Sequence, residues 1–248
     1  MRWLALVLVA ATLTPERWEP LPFTLMAVAA FAGIVQTKPN TDSLDLKAVL
    51  RKMDATATKF QSAQAEFVWD QYQRVVDETD TQKGTVYYRR AGKEIEMLAD
   101  IGEPDRKALL FKDGKIEVYQ PKINQVSVYG AGKNRAEVES YLVLGFGGSG
   151  QDLLKSFDVS FQGEEKLNDV RTAKLQLVPK SDKLKANFPS IVLWIDLERG
   201  VSVQQKFFQT QGDYRLARYS GIRLNDKIPA ETFQLKTNSK TKFIAPNG

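Results

Sequence analysis

Cysteine and histidine are both missing from this chain of 248 residues. Without Cys there is no disulfide, no thiol nucleophile and no thiolate metal site. Without His, a Ser-His-Asp triad and imidazole-held metals are excluded. Carboxylate chemistry and oxygen-bound cations remain open. The tight acidic pairs are Glu94 with Glu96 and Glu164 with Glu165. The first pair shares one face of a strand and is expected to meet water; the second is expected in a hairpin turn beside Gly163. Neither reads as an acid–base dyad, so the chain is expected to be no enzyme and to need no cofactor or metal. Runs of five like charges are also lacking, as is any basic stripe interleaved with aromatics, which argues against nucleic acid as a partner. Long apolar runs are lacking too: Trp3 to Leu13 and Phe23 to Val35 are each shorter than the roughly 20 residues of a membrane span.

What is present is an ordinary globular composition, 43% hydrophobic and 26% charged. The 35 basic and 30 acidic side chains leave a net charge of +5, a mildly basic surface that suits anionic membranes or lipids. Pro15 to Pro20 breaks the two N-terminal apolar runs apart. The second run has a secretory shape, with Arg17 upstream, an apolar core and then Ala30-Phe31-Ala32, a small-x-small cleavage pattern. Residues 1–32 are therefore expected to be a targeting segment cleaved near Ala32, and 33–248 a single domain beginning near Gly33. Two marginal membrane segments are the alternative. No Cys follows the apolar core, so an N-terminal lipid anchor is not expected.

The spacing of Leu46, Val49, Leu50, Met53, Ala57 and Phe60 predicts an amphipathic helix over 44–60, capped by Asp42 or Ser43. The period then changes to two. Strands are predicted over 63–76, 84–91, 93–100, 106–112, 115–120 and 125–129, separated by turns such as Lys112-Asp113-Gly114-Lys115. A second helical region follows, 135–144 and 151–157, joined by Gly145-Phe146-Gly147-Gly148-Ser149-Gly150. That stretch reads as a flexible connection; no Gly-Lys-Ser/Thr follows it, so it is not a phosphate loop. Strands resume over 158–167, 170–179, 190–197, 201–209, 212–224 and 232–237. The fold class is α+β, mostly β: one strongly curved antiparallel sheet, a half-open barrel of about eleven strands, with helices covering its concave face. Alternate residues Phe67, Trp69, Val86, Tyr88, Leu175, Leu177 and Leu193 are expected to line that face. The helices over it either enclose an apolar cavity for an acyl chain or simply complete a core.

The order of phrases favours the cavity. Leu46-Lys47-Ala48-Val49-Leu50 leads through Phe60-Gln61-Ser62 to Ala65-Glu66-Phe67. Then come Gly84-Thr85-Val86-Tyr87-Tyr88-Arg89-Arg90, Asp113-Gly114-Lys115 and Tyr119-Gln120-Pro121-Lys122-Ile123-Asn124-Gln125-Val126. Leu144-Gly145-Phe146-Gly147, Leu175 to Lys180, Leu193-Trp194-Ile195-Asp196, Asn225, Ile228-Pro229 and Phe233 complete the series. Over residues 44–237 the chain resembles the outer-membrane lipoprotein carrier family (LolA-type). The resemblance implies a periplasmic, monomeric carrier that holds the acyl chains of lipoproteins or lipids in an apolar cavity and shuttles them towards the outer membrane. The implied partners are acylated cargo, an inner-membrane ABC transporter and an outer-membrane receptor. A lipid-binding sensor or regulatory domain of the same fold is the alternative. The resemblance also implies that Arg90 holds a helical lid. Arg90 shares strand parity with Val86 and Tyr88, which places a cationic fork on the cavity side. Arg89 would replace it if the register slipped by one residue, and Ala91 stands where the family often has Pro.

Overall fold

The computed structural model describes residues 45–245 apart from 93, 131–140 and 142–143. By its internal contacts the chain divides into 1–44 and 45–248, and only the second unit is described. The expected targeting segment and most of the expected helix 135–144 lie outside the described residues. Helix α1 (Leu46–Lys59) starts one residue after Asp45, whose carboxylate accepts the Ala48 N–H at 2.7 Å. The N-cap is thus Asp45 rather than Asp42 or Ser43. Val49, Leu50 and Met53 form its buried stripe, and each such side chain contributes about 1.5–3 kcal/mol by leaving water.

A meander follows: β1 (Ser62–Gln73), β2 (Glu78–Ala91), β3 (Glu94–Glu103), β4 (Lys107–Lys112), β5 (Lys115–Gln120) and β6 (Gln125–Gly130). The β4–β5 turn holds Asp113 at φ 50° and Gly114 at φ 68°, the primed-turn geometry that matches strand twist. After α2 (Gly150–Ser156) comes a second meander of β7 (Phe157–Leu167), β8 (Val170–Pro179), β9 (Ser190–Asp196), β10 (Ser202–Phe208) and β11 (Tyr214–Leu224), with the short α3 (Asp182–Lys185) between β8 and β9. Strand β12 (Lys242–Ile244) is last among the described residues. The sheet order is β12-β6-β5-β4-β3-β2-β1-β11-β10-β9-β8-β7. Every pairing is antiparallel except β12 with β6. The β1–β11 ladder welds the two meanders into one open, curved, twelve-stranded sheet.

Several expectations need correction. The segment 232–237 is no strand: Ala230–Phe233 is a 3-10 turn whose Phe233 buries itself against Leu98 and Leu110. Those two face the convex side, so the sheet carries a small second core behind it. Another convex cluster gathers Val192, Trp194 and Val203. The turn between β7 and β8 is Asn168-Asp169, both at positive φ, not Glu164-Glu165. Those glutamates lie within β7 just past a bulge, and Glu165 accepts the Trp194 indole N–H at 2.9 Å. Glu96 does not meet water: it is 7% exposed, bonded by the Nε of Arg89 at 3.0 Å and paired with Lys112 at 3.5 Å.

Candidate functional site

Residues directly opposite in an antiparallel ladder share a face, and this defines the concave surface without ambiguity. Leu175 faces Leu193, Leu193 faces Gln205, Gln205 faces Ala217 and Ala217 faces Trp69. On β1 and β2, Ala65 faces Val86 and Ala63 faces Tyr88; Tyr88 in turn faces Met97 of β3. All seven residues expected to line a cavity therefore occupy one face, in two groups. Phe67, Trp69, Val86 and Tyr88 lie on β1 and β2, whereas Leu175, Leu177 and Leu193 lie across β11 and β10 on β8 and β9. Phe67 and Trp69 stack at 4.1 Å. Six of the seven are almost wholly buried, from 0% for Leu175, Leu177 and Leu193 to 4% for Tyr88, and only Trp69 is half-buried.

The cover over this face is more closely built than a flexible connection. Phe146 is completely buried; its ring stacks on Tyr88 at 5.0 Å and meets the edge of Tyr219 at 4.9 Å. Gln205 Nε2 donates to the Leu144 carbonyl at 2.6 Å, and Tyr219 donates to Gln205 Oε1 at 3.3 Å. The Ser202 N–H donates to the Gly145 carbonyl at 2.9 Å. Gly145 and Gly147 both sit at φ 79°, a region that L side chains rarely enter. Contact also excludes a side chain: a Cβ on Gly145 would lie 2.4 Å from the Ser202 Cβ, and one on Gly147 would lie 2.6 Å from the Phe60 ring. The glycines thus let the backbone press against the sheet and α1, with Phe146 as the inserted plug. A single aromatic between glycines was the sequence signal for this. Gln205 on the buried parity of β10 was a second.

Arg90, next to last in β2, lies on the concave side opposite Ile95. Its Nε donates to the Phe60 carbonyl at 3.1 Å, and its backbone N–H donates to the Gln61 carbonyl at 2.8 Å. Phe60 is the C-cap of α1, so Arg90 serves a helix-terminal carbonyl that the helix cannot satisfy itself. Its side chain is otherwise exposed. Arg89 takes the opposite face, with its guanidinium 4.5 Å from the Phe233 ring centre.

The far end of the concave face is more polar. Gln71 faces Arg215 on β11, and Arg215 faces Phe207 on β10. The Arg215 guanidinium lies 5.4 Å from the Trp69 ring centre. Burial lowers the pKa of Arg215 to about 10, so it remains cationic at neutral pH. Burial raises the Tyr219 hydroxyl above the ordinary phenol range, which keeps it a neutral donor. Neither residue was anticipated.

An open groove of about 480 Å³ lies between the helices, lined by Leu46, Leu50 and Leu154 among others. A second space of about 290 Å³ lies by Tyr87, Leu98 and Thr232 on the convex side. Among the described residues no group of three acidic side chains could hold a metal, and no helix is long and apolar enough to cross a membrane.

The site thus lies on one face of a single open curved sheet, with helices over it. No protein-family model and no curated protein matches the sequence. Among solved structures, an uncharacterized conserved protein from Thermus thermophilus superposes with a TM-score of 0.52 at 11% identity, over 81% of this chain and 98% of that one. MucB superposes with a TM-score of 0.50 at 12% identity, over 78% of this chain. The chain spans 64% of the length of MucB. A LolA superfamily protein from Nitrosomonas europaea is also similar, with a TM-score of 0.39 at 14% identity, over 78% of this chain and 99% of that one.

Proposed function

We propose that this protein is a non-enzymatic, extracytoplasmic carrier of acyl chains, taking those of lipoproteins or lipids between membranes. The observation that carries the reading is the plug. A largely apolar sheet face is covered by a glycine-framed segment that inserts one aromatic ring and is fastened by a few polar bonds. Phe67, Val86, Tyr88, Leu175, Leu177 and Leu193 have almost no accessible surface, so the face is closed over, and room for a chain arises when Phe146 withdraws. Trp69 and these six residues then line the chain.

The energetics fit a carrier better than a permanent store. Withdrawing Phe146 exposes a large aromatic, at about 1.5–3 kcal/mol. The Gln205 and Ser202 bonds to the lid add about 0.5–1.5 kcal/mol each. An incoming acyl chain gains about 0.8 kcal/mol per buried CH₂, so roughly three to seven methylenes offset the opening. Longer chains bind with net gain, yet far more weakly than an open bowl would hold them. Arg90 belongs to the same balance: by tying α1 to the end of β2 it favours the closed state, which returns when cargo leaves. A cleaved N-terminal segment, a periplasmic location, and a membrane transporter and outer-membrane receptor as donor and acceptor complete the proposal.

Mass spectrometry of what co-purifies from the native host tests it, together with titration of a fluorescent fatty acid into the delipidated protein. Acylated species and saturable binding are expected. A protein that carries no acyl group and does not bind the probe is not a carrier, and one that binds lipid only together with a partner protein is a sensor.

A further inference from the structure

The polar end of the concave face has no role in holding hydrocarbon, and its composition is specific. Arg215 is cationic and stands near the end of β11, a central strand of the sheet, opposite Gln71 and Phe207. Lys107 shares this face: it is opposite Ile101, which is opposite Gly84, which is opposite Phe67. Burial and then the Arg215 charge lower the pKa of its ammonium, while Asp105 and Asp80 raise it; Asp80, opposite Gln71, shares this face as well.

Tyr141, 7% exposed, has its ring 5.2 Å from Phe207, the cross-strand neighbour of Arg215. The Tyr141 hydroxyl is buried and makes no hydrogen bond. Gln71 Oε1 is likewise buried and unbonded, while its amide nitrogen is engaged by Gln209 at 3.2 Å. The Trp69 indole N–H is buried and makes no hydrogen bond within the geometric limits of one. A buried polar atom left unbonded costs about 1–3 kcal/mol, and here such atoms gather around one cation. A hydroxyl and an indole N–H beside a guanidinium are the donors an oxyanion needs.

We infer that Arg215, Lys107, Tyr141 and Trp69 form a head-group site for an anionic amphiphile, a lipid carrying a carboxylate or phosphate, whose chain runs along the concave face towards Tyr88. The inference rests on the carrier reading and sharpens it from acyl chains in general to acyl chains with an anionic end. From Gln71 to Ala63 the face extends eight residues, about 26 Å at strand rise. The head group thus binds at one end, and the Phe60–Arg90 tie closes the other. Tyr141 precedes the plug in the chain, so a bound head group bridges sheet and cover.

The test uses the full delipidated chain and three fluorescent probes with the same alkyl chain, ending in a carboxylate, a phosphate monoester or a methyl ester. Wild-type protein is expected to prefer both anionic probes over the ester by about tenfold or more, as for a charged hydrogen bond made in a buried site. Arg215→Met closes that gap, Arg215→Lys keeps part of it, and Tyr141→Phe narrows it. Thermal unfolding of each variant shows whether it is folded. Inorganic phosphate alone is not expected to displace the probes. Equal wild-type affinity for acid and ester, or a gap that persists in folded Arg215→Met, overturns the head-group site while ester binding leaves the carrier reading standing. Displacement by inorganic phosphate overturns the lipid assignment in favour of a free anion. Failure of all three probes to bind overturns the carrier reading and this inference together.

Discussion

Replacing Phe146 with Ala separates the plug from the rest of the fold. The ring is fully buried between Tyr88 and Tyr219, so truncation removes its contacts and leaves a cavity. Phe→Ala at such sites costs about 3–5 kcal/mol. In the proposed mechanism that cost falls only on the closed, unloaded state, because the ring has already withdrawn from the sheet when a chain is bound. The variant should therefore unfold at a lower temperature without ligand, and bind an acyl probe more tightly than wild type. At about 3 kcal/mol the gain in affinity is roughly a hundredfold. Release should slow in proportion, since mutational changes in affinity fall mostly on dissociation. Fluorescence titration of a long-chain fatty acid, stopped-flow transfer to acceptor vesicles and thermal unfolding with and without ligand measure all three. Unchanged or weakened binding by a folded Phe146→Ala protein would refute the idea that the ring competes with cargo for the concave face.

Arg90→Leu should act in the same sense but less strongly. Its carbonyl bond is made by an exposed side chain, so about 1 kcal/mol and a several-fold slower transfer to acceptor vesicles are expected. Arg89→Leu should instead lower the unfolding temperature with little change in transfer, because it strips one cation from buried Glu96 on the convex side. Gly147→Ala should cost stability in both forms, about 1–3 kcal/mol from the left-handed backbone alone, with the Phe60 ring forced aside; unfolding in denaturant measures it. Asp196 reports on acid stability. Burial pushes its carboxyl up, but the Arg199 side chain and the N–H groups of Arg199 and Glu198 outweigh this and hold it below its usual 3.8. The stabilisation is thus present above the unfolded-state value and is lost as pH falls through the lower folded one. Asp196→Asn should be less stable than wild type at neutral pH, and the difference should shrink on acidification below about pH 4; melting curves across pH check this.

Most of the sheet was legible because its strands alternate and its turns use Asp-Gly and Asn-Asp. The seven residues expected to line a cavity fall on one face because strand parity and register agree across the sheet from β2 to β8. What escaped reading was mostly tertiary. Phe233 looks strand-like in sequence, but the convex face of an open sheet needs its own cover, and that cover is a 3-10 turn. Glu96 has the parity of a solvent-facing residue; Arg89, Lys112 and the overlying Phe233 make that position buried. Gly145 to Gly150 reads as slack by composition, whereas Gly145, Gly147 and Gly150 each mark a close approach whose partner lies far away in sequence: Ser202, Phe60 and Leu50. Arg215 was invisible for a similar reason. A basic residue in β11 suggests the outer face, and only its pairing with Gln71 and Phe207 turns it inward.

The sheet remains open, with β7 at one margin and β12 at the other. A closed barrel would bind those margins by hydrogen bonds and so lock its girth. Here the bowl can widen by relaxing twist alone, breaking no ladder. Exposed margins invite pairing with other chains, and both are guarded. Strand β7 carries a bulge before Glu164, Glu165 and Lys166, and β12 offers only three residues, paired in parallel with β6. In the proposed carrier, a container that changes its capacity with each load would therefore flex at its seams without polymerising through them.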